Sequence, residues 1–294
     1  MLKPPGMTSN DLVTLVRRAL PRGVKVGHGG TLDPDAAGVL PVCVGKATRL
    51  FDVLIDKEKT YIALLRLGVE TDTQDASGRV VARADASRVT RKEIEALLPR
   101  FTGEIDQVPP AYSAIKRDGV RMYEMARKGG AEPLPPRRVE VLSVDCLSQE
   151  SADAYLMRVV CRKGVYIRTL CHDIGRALGV GGHMAMLIRQ SAGAFHIDDA
   201  VTVEALESAR RADAVESLIV RMDAPLEHLP RIDLPGFRRD DVVNGRPIIQ
   251  DAGALAHPAG ETLRLYVDGA FAGLARVDED GSIRVKAMLL EMNR

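Results

Sequence analysis

The 294-residue sequence predicts a mixed α/β (α+β) protein: a large domain over residues 1–228 on a mixed, largely antiparallel sheet, then a small β-rich domain over 229–294. Three observations predict it. Helix-type periodicity and strand-type runs alternate irregularly over the first two thirds of the chain. The clearest strand candidates, 139–147 and 154–161, follow each other across a short polar break instead of a helix, which favours antiparallel pairing. Past Pro225 the composition changes: prolines at 225, 230 and 235 precede short alternating runs such as LRLYVDG and AGLARV, as expected of a linker and a small β domain.

The elements follow in order. Thr8-Ser9-Asn10-Asp11 has the form of a capping box, and Leu12, Val13, Leu15, Val16 and Leu20 fall at helical spacing, so a first helix is expected up to about Pro21. A glycine-rich loop, HGGTLDPDAAGVLP, runs from His28 to Pro41. TYIALLRLG, Thr60 to Gly68, is short and apolar on both faces, which reads as a buried strand. Thr90 with Glu93 opens a second helix through Ile94 and Leu98 that stops before Phe-Thr-Gly. The stretch AIKRDGVRMYEMARKGGAEPLPPRR is basic, broken by glycine and proline, and poor in core residues, so it reads as a surface excursion. Lys163-Gly164 leads into VYIRTLCHDIGRALG, where a strand is expected to hand over to a helix near Arg168. Residues 201–222 read as an acidic helix.

Composition excludes several classes. No run approaches the roughly 18 apolar residues of a membrane span, and MLKPPGMTSND has no apolar signal region, so a cytoplasmic protein without membrane contact is expected. Cys43, Cys146, Cys161 and Cys171 form no C-x-x-C pair and the six histidines lack ligand spacing, which argues against disulfides and a metal site. The net charge of +1 hides segregation: residues 116–138 carry seven Lys/Arg against three Asp/Glu, and 158–176 five against one, whereas 198–227 carry three against eight. Local basic surpluses in a neutral chain suit a polyanion held on one face, although charge runs are also ordinary solvated surfaces.

The loop around Asp33 raises a sharper question. Gly29, Gly30 and Gly38 leave room for another backbone, and Pro34 biases Asp33 toward an extended conformation that offers its carboxylate outward. Such an aspartate serves equally as a turn former, and residue types alone leave both roles open. The loop has neither G-x-G-x-x-G spacing nor a Gly-Lys-Ser/Thr ending, so it is not a known phosphate cradle.

Four stretches in order, KPPGMTS (3–9), GHGGTLDPDAAGVLPVCVGKATR (27–49), KTYIALLRLG (59–68) and KGVYIRTLCHDIGRALG (163–179), resemble the TruB family of tRNA pseudouridine synthases, which isomerise uridine 55 of the T-loop. The tail from about residue 230 resembles a PUA RNA-binding domain. The resemblance implies a pseudouridine-synthase catalytic domain with a thumb insertion over about 115–138, acting on the T-loop and arm of tRNA as a monomer with no obligate protein partner, no metal and no cofactor. It places Asp33 as the catalytic aspartate, Arg168 as the arginine that keeps it charged, and Tyr61 against the target uracil, near where the C5 proton leaves. It also implies that Tyr166 and Leu187 line the uracil pocket, that Lys3 and Pro4 form the KP element near the site, and that His28 sits near the space vacated by the flipped base. Lys116, Arg117, Arg121, Arg127 and Lys128 become RNA contacts of the thumb. The chain departs from the family pattern at Gly29, often threonine, at Ile188, often arginine, and at Asp35, often leucine and here expected to face solvent. Three other readings fit parts of the same features: a guide-RNA-dependent H/ACA-type subunit, a non-catalytic tRNA-folding chaperone, and a base-excising glycosidase. The thumb-like stretch disfavours the first, intact Asp33, Tyr61 and Arg168 the second, and the lack of a partner acid the third.

Overall fold

The computed structural model describes residues 1–55, 57–110, 112, 116–117, 120–121, 134–249 and 257–290. The chain forms two compact units whose segments interleave: Met1–Ser9, Thr31–Leu40 and Ile55–Ala200 in one, Asn10–Gly30, Pro41–Leu54 and Val201–Arg294 in the other.

Strands are numbered along the whole chain. In the first unit β1 (Leu2–Lys3), β3 (Ala37–Val39), β5 (Lys59–Leu67), β8 (Gly103–Gln107), β11 (Arg137–Ser151), β12 (Ala154–Cys161), β13 (Gly182–Ala192) and β14 (Phe195–His196) build one sheet. Its order is β1-β3-β13-β5-β12-β11-β8, with β14 on β13. Among the described residues of this sheet, only β13 and β3 pair in parallel, so the sheet is mixed and largely antiparallel, as the sequence predicts. Two short ribbons complete the described strands of this unit: β6 (Val69–Thr71) with β7 (Val80–Arg83), and β9 (Lys116–Arg117) with β10 (Val120–Arg121). The basic stretch therefore contains two short antiparallel strands, while Arg127 and Lys128 lie outside the described residues.

Along the chain the described α-helices are α1 (Ser9–Arg18), α2 (Phe51–Ile55), α3 (Arg91–Leu97), α4 (Ile167–Ala177), α5 (Val203–Arg211) and α6 (Arg239–Val243), of which α3 and α4 belong to the first unit. The α3 start is a complete capping box: the Thr90 hydroxyl accepts from the Glu93 amide while the Glu93 carboxylate accepts from the Thr90 amide. The acidic helix after 201 is shorter than its charge pattern suggests. It ends at Arg211, and Asp213 follows with φ 54°, a left-handed turn that stops propagation.

Strand β5 differs from its sequence reading in one respect. Lys59, Tyr61, Ala63, Leu65 and Leu67 are buried on one face, but Thr60, Ile62 and Leu64 on the other are only half-buried. The reason is that β5 lies between antiparallel partners and packs a single face into the core, where a parallel strand covered twice would bury both. That core joins β5 to Val141 and Val144 of β11, Tyr155, Met157 and Val159 of β12, and Ile167, Leu170 and Ile174 of α4. No strand lies between β12 and α4. A turn at Lys163-Gly164 and an extended Tyr166, φ −99° and ψ 109°, enter the helix directly.

In the second unit β15 (Arg231–Leu234) runs parallel to β16 (Thr262–Val267), which continues antiparallel through β17 (Ala270–Val277) and β18 (Ile283–Met288). Val242, Ile248, Leu263, Leu265, Val277 and Ile283 form its core. A second ribbon, β2 (Val26–His28) with β4 (Val42–Val44), belongs to the same unit. So does Leu50, which packs with Leu226, Leu274 and Leu289, and Lys46 donates from Nζ to the Leu289 carbonyl at 3.0 Å. All four cysteines are buried as free thiols. Among the described residues no helix is long and apolar enough to cross a membrane.

Candidate active site

The site grows from the loop Thr31–Ala36 between β2 and β3. The loop is pinned from below: Ser9 Oγ exchanges hydrogen bonds with the Leu32 backbone at 3.0 and 2.9 Å, and the Pro34 carbonyl accepts from the Gly6 amide at 2.9 Å. Lys3 is fully buried, and its ammonium donates to the carbonyls of Pro4 and Pro34, each at 2.8 Å, and of Met7 at 2.5 Å. Three carbonyls on one ammonium satisfy a charge that burial would otherwise make costly. Lys3 and Pro4 thus brace the loop that holds Asp33.

Helix α4 brings the opposing charge. Its first turn has no side-chain cap; the Gln107 amide instead clasps Tyr166, with Nε2 donating to the Tyr166 carbonyl at 3.0 Å and Oε1 accepting from the Tyr166 amide at 2.7 Å. Arg168, in the first turn, is buried at 6 % side-chain exposure, while Asp33 keeps 35 %. The pair is bidentate: Arg168 Nε lies 2.9 Å from Asp33 Oδ2, and NH2 donates to Oδ1 at 3.2 Å. The rest of the fork is also used. NH2 reaches the Tyr112 carbonyl at 2.9 Å, NH1 the Thr73 carbonyl at 3.3 Å, and NH1 lies 3.6 Å from Asp75 Oδ2. One guanidinium therefore ties the Asp33 loop, the 73–75 turn and the backbone at Tyr112 together, which its planar set of donors allows and an ammonium would not.

Asp75 was not singled out by the sequence reading. Its other oxygen, Oδ1, accepts from Thr73 Oγ1 at 2.6 Å, Ser77 Oγ at 2.6 Å and the Ser77 amide at 3.0 Å, so half of the carboxylate builds the turn and half faces Arg168. The run TDTQDASG looks like any polar turn, and nothing local points to this second role.

The electrostatics differ from the expectation that Arg168 would offset burial. Burial pushes the Asp33 carboxyl above its ordinary value; Arg168 and, less strongly, Lys3 pull it down, while Asp75 and Asp35 push it further up. The net direction is upward, because burial outweighs the pull of the guanidinium. Asp35 itself is exposed.

Tyr61 is buried on β5, close enough to Asp33 for that carboxylate to help raise its phenol, although burial is the main cause. Leu187 lies opposite Ala63 on β13, in the core beside Tyr61. Tyr166 is half-buried at the start of α4. His28 is half-buried on β2 in the other unit. Lys116, Arg117 and Arg121 lie on β9 and β10. Arg189 and Gln107 are further residues that sequence reasoning missed. A lone buried arginine or glutamine carries no local signature.

Known proteins are similar along the whole chain. Residues 17–167 match the family model described as TruB family pseudouridylate synthase (N terminal domain). Residues 168–229 match the tRNA pseudouridylate synthase B C-terminal domain, and 230–289 match Pseudouridine synthase II TruB, C-terminal. The tRNA pseudouridine synthase B of Aromatoleum aromaticum is 44 % identical over 287 residues, spanning 98 % of this chain and 90 % of that one. The tRNA pseudouridine synthase B of Symbiobacterium thermophilum is 47 % identical over 249 residues, 83 % of this chain and 80 % of that one. Among solved structures, an H/ACA RNP bound to a substrate RNA containing 2′-deoxyuridine shares the fold with a TM-score of 0.72 at 24 % identity, over 99 % of this chain and 84 % of that one.

Proposed function

The chain belongs to the TruB family of pseudouridylate synthases, and on that premise we propose that it converts uridine 55 in the T-loop of tRNA to pseudouridine, without a cofactor or an obligate protein partner. The observation that carries the reading is the bidentate Asp33–Arg168 pair, in which a partly open carboxylate rests on a buried guanidinium. The reaction breaks the N1–C1′ bond, turns the uracil and joins C5 to C1′, and the C5 proton leaves as the aromatic-like ring is restored. No atom is gained beyond that proton exchange, so neither an oxidant nor a nucleotide triphosphate is called for. An ionised Asp33 serves whether the carboxylate attacks C6, attacks C1′ or removes the C2′ proton.

The other residues support that centre. Tyr61 rests against the uracil, Tyr166 and Leu187 line its pocket, and Lys3 and Pro4 fix the loop. Extruding a base costs a few kcal/mol, and phosphate contacts from Lys116, Arg117, Arg121, Arg127 and Lys128 offset it. In this reading residues 229–294 form a PUA-like RNA-binding segment of the same protein.

The test is release of tritium from a tRNA transcript labelled at C5 of uridine. The wild-type chain, acting alone, is expected to release about one equivalent per tRNA, and none when uridine 55 is replaced by cytidine. Asp33→Asn and Asp33→Ala should each lose at least about 10³-fold in rate. Robust release by either variant, or release indifferent to position 55, would overturn the assignment.

A further inference from the structure

Arg189 has no part in the reading above, yet it sits against two of its elements. It is 1 % exposed and lies on β13 directly opposite Tyr61 of β5. Its Nε donates to the Val39 carbonyl at 2.7 Å, and its side chain shares a face of the sheet with that of Tyr61, close enough for its charge to act on the phenol. Val39 ends β3, the strand into which the Asp33 loop runs. The approach there is close: Gly38 pairs with Arg189 in register, has φ +113°, and would place a Cβ 2.2 Å from the Arg189 carbonyl oxygen. Backbone and side chain of one residue therefore hold β3 on one side and face Tyr61 on the other.

A guanidinium has donors and no acceptor, so in a hydrogen bond between the two side chains the Tyr61 oxygen accepts. Such a bond would fix a hydroxyl rotor. With Arg189 on one lone pair, the Tyr61 O–H proton points away from the arginine, and the charge beside the oxygen eases any build-up of negative charge on it.

We propose that Arg189 is a positioning residue: it sets the Tyr61 phenol and the strand after Asp33 at a fixed separation, and it orients the Tyr61 hydroxyl for the step in which the C5 proton leaves. The inference rests on the function proposed above, because Tyr61 takes its role there. Arg189 touches neither substrate nor Asp33 in this account; it acts through Tyr61 and through β3.

A double-mutant cycle on tritium release tests it, using Arg189→Gln, Tyr61→Phe and the pair. Arg189→Gln is expected to lower kcat about tenfold or more while KM for tRNA stays within about twofold. Added to Tyr61→Phe, it should cost less than about twofold further, because the hydroxyl it orients is gone. Arg189→Lys, which keeps a charge and a donor, should recover part of the loss. Multiplicative losses in the double variant would overturn the proposal, since a purely structural arginine harms both backgrounds equally. Should Arg189→Gln not fold, Arg189→Lys carries the same cycle, with a smaller loss that must again vanish beside Tyr61→Phe.

A second readout separates this inference from the function it rests on. The Cζ resonance of isotopically labelled tyrosine, assigned to Tyr61 by its absence in Tyr61→Phe, should move in Arg189→Lys. If the wild type releases no tritium but that resonance moves, the functional reading fails while the Arg189–Tyr61 contact stands. If tritium is released normally and the resonance is unmoved, the contact is refuted on its own.

Discussion

In the proposed reaction Asp33 works ionised, in surroundings that on balance favour keeping its proton. Burial and the neighbouring Asp75 raise its pKa more than Arg168 and Lys3 lower it. An acid raised in the folded state stabilises the fold below its unfolded value, and that contribution is lost as pH rises through the folded value. Asp33→Asn is therefore expected to raise the melting temperature at neutral pH, with the gain shrinking in the acid range, even as activity disappears. Thermal denaturation at the two pH values checks this, and a lower neutral melting temperature would contradict it. The same signs govern activity. Asp75→Asn removes a negative neighbour and should shift the acid limb of the pH–rate profile downward, whereas Arg168→Lys should shift it upward and slow the reaction, since an ammonium lacks the fork that holds both Asp33 oxygens. Asp33 and Arg168 were legible in the sequence because each sits in a distinctive motif. Asp75 was not, because what gives it meaning is a 3.6 Å approach to a residue far away in the chain.

Two helix starts show the same contrast one level up. Helix α3 was legible because its cap is local: Thr90 and Glu93 lie three residues apart and satisfy each other's amides. Helix α4 takes its cap from Gln107, 59 residues earlier in sequence, so its start near Arg168 was readable but what anchors it was not. Gln107→Leu leaves the Tyr166 amide and carbonyl without these partners and should cost about 2 kcal/mol, measured by urea denaturation, with tritium release slowed because α4 carries Arg168. Unchanged stability would mean that water replaces the clamp without loss. Strand β13 escaped the reading for a related reason: GHMAMLIRQSA buries Arg189 and His183 along with Leu187, so its pattern is not a simple alternation of apolar and polar residues. It nonetheless lies between β3 and β5 and carries the residues opposite Tyr61 and Ala63.

Across the whole molecule, the fold class and the C-terminal strands were readable, since both follow from local runs. The interleaving of the two units was not, because sequence patterns are read along the chain while Leu50 finds its partners at Leu226, Leu274 and Leu289. The cysteines carry a consequence at this scale. Cys43 lies in one unit and Cys146, Cys161 and Cys171 in the other, and burial raises every thiol, Cys43 to about 11 and Cys161 and Cys171 to about 12. Thiolate is the reactive form, so iodoacetamide should leave the native protein unlabelled over hours and modify all four sites in denaturant, as mass spectrometry would record. Prompt alkylation of native Cys171 would show that α4 opens readily. Otherwise each sulfur is a silent clock, started only when the protein around it breathes, and the native sequence needs no added reporter to time that event in either half.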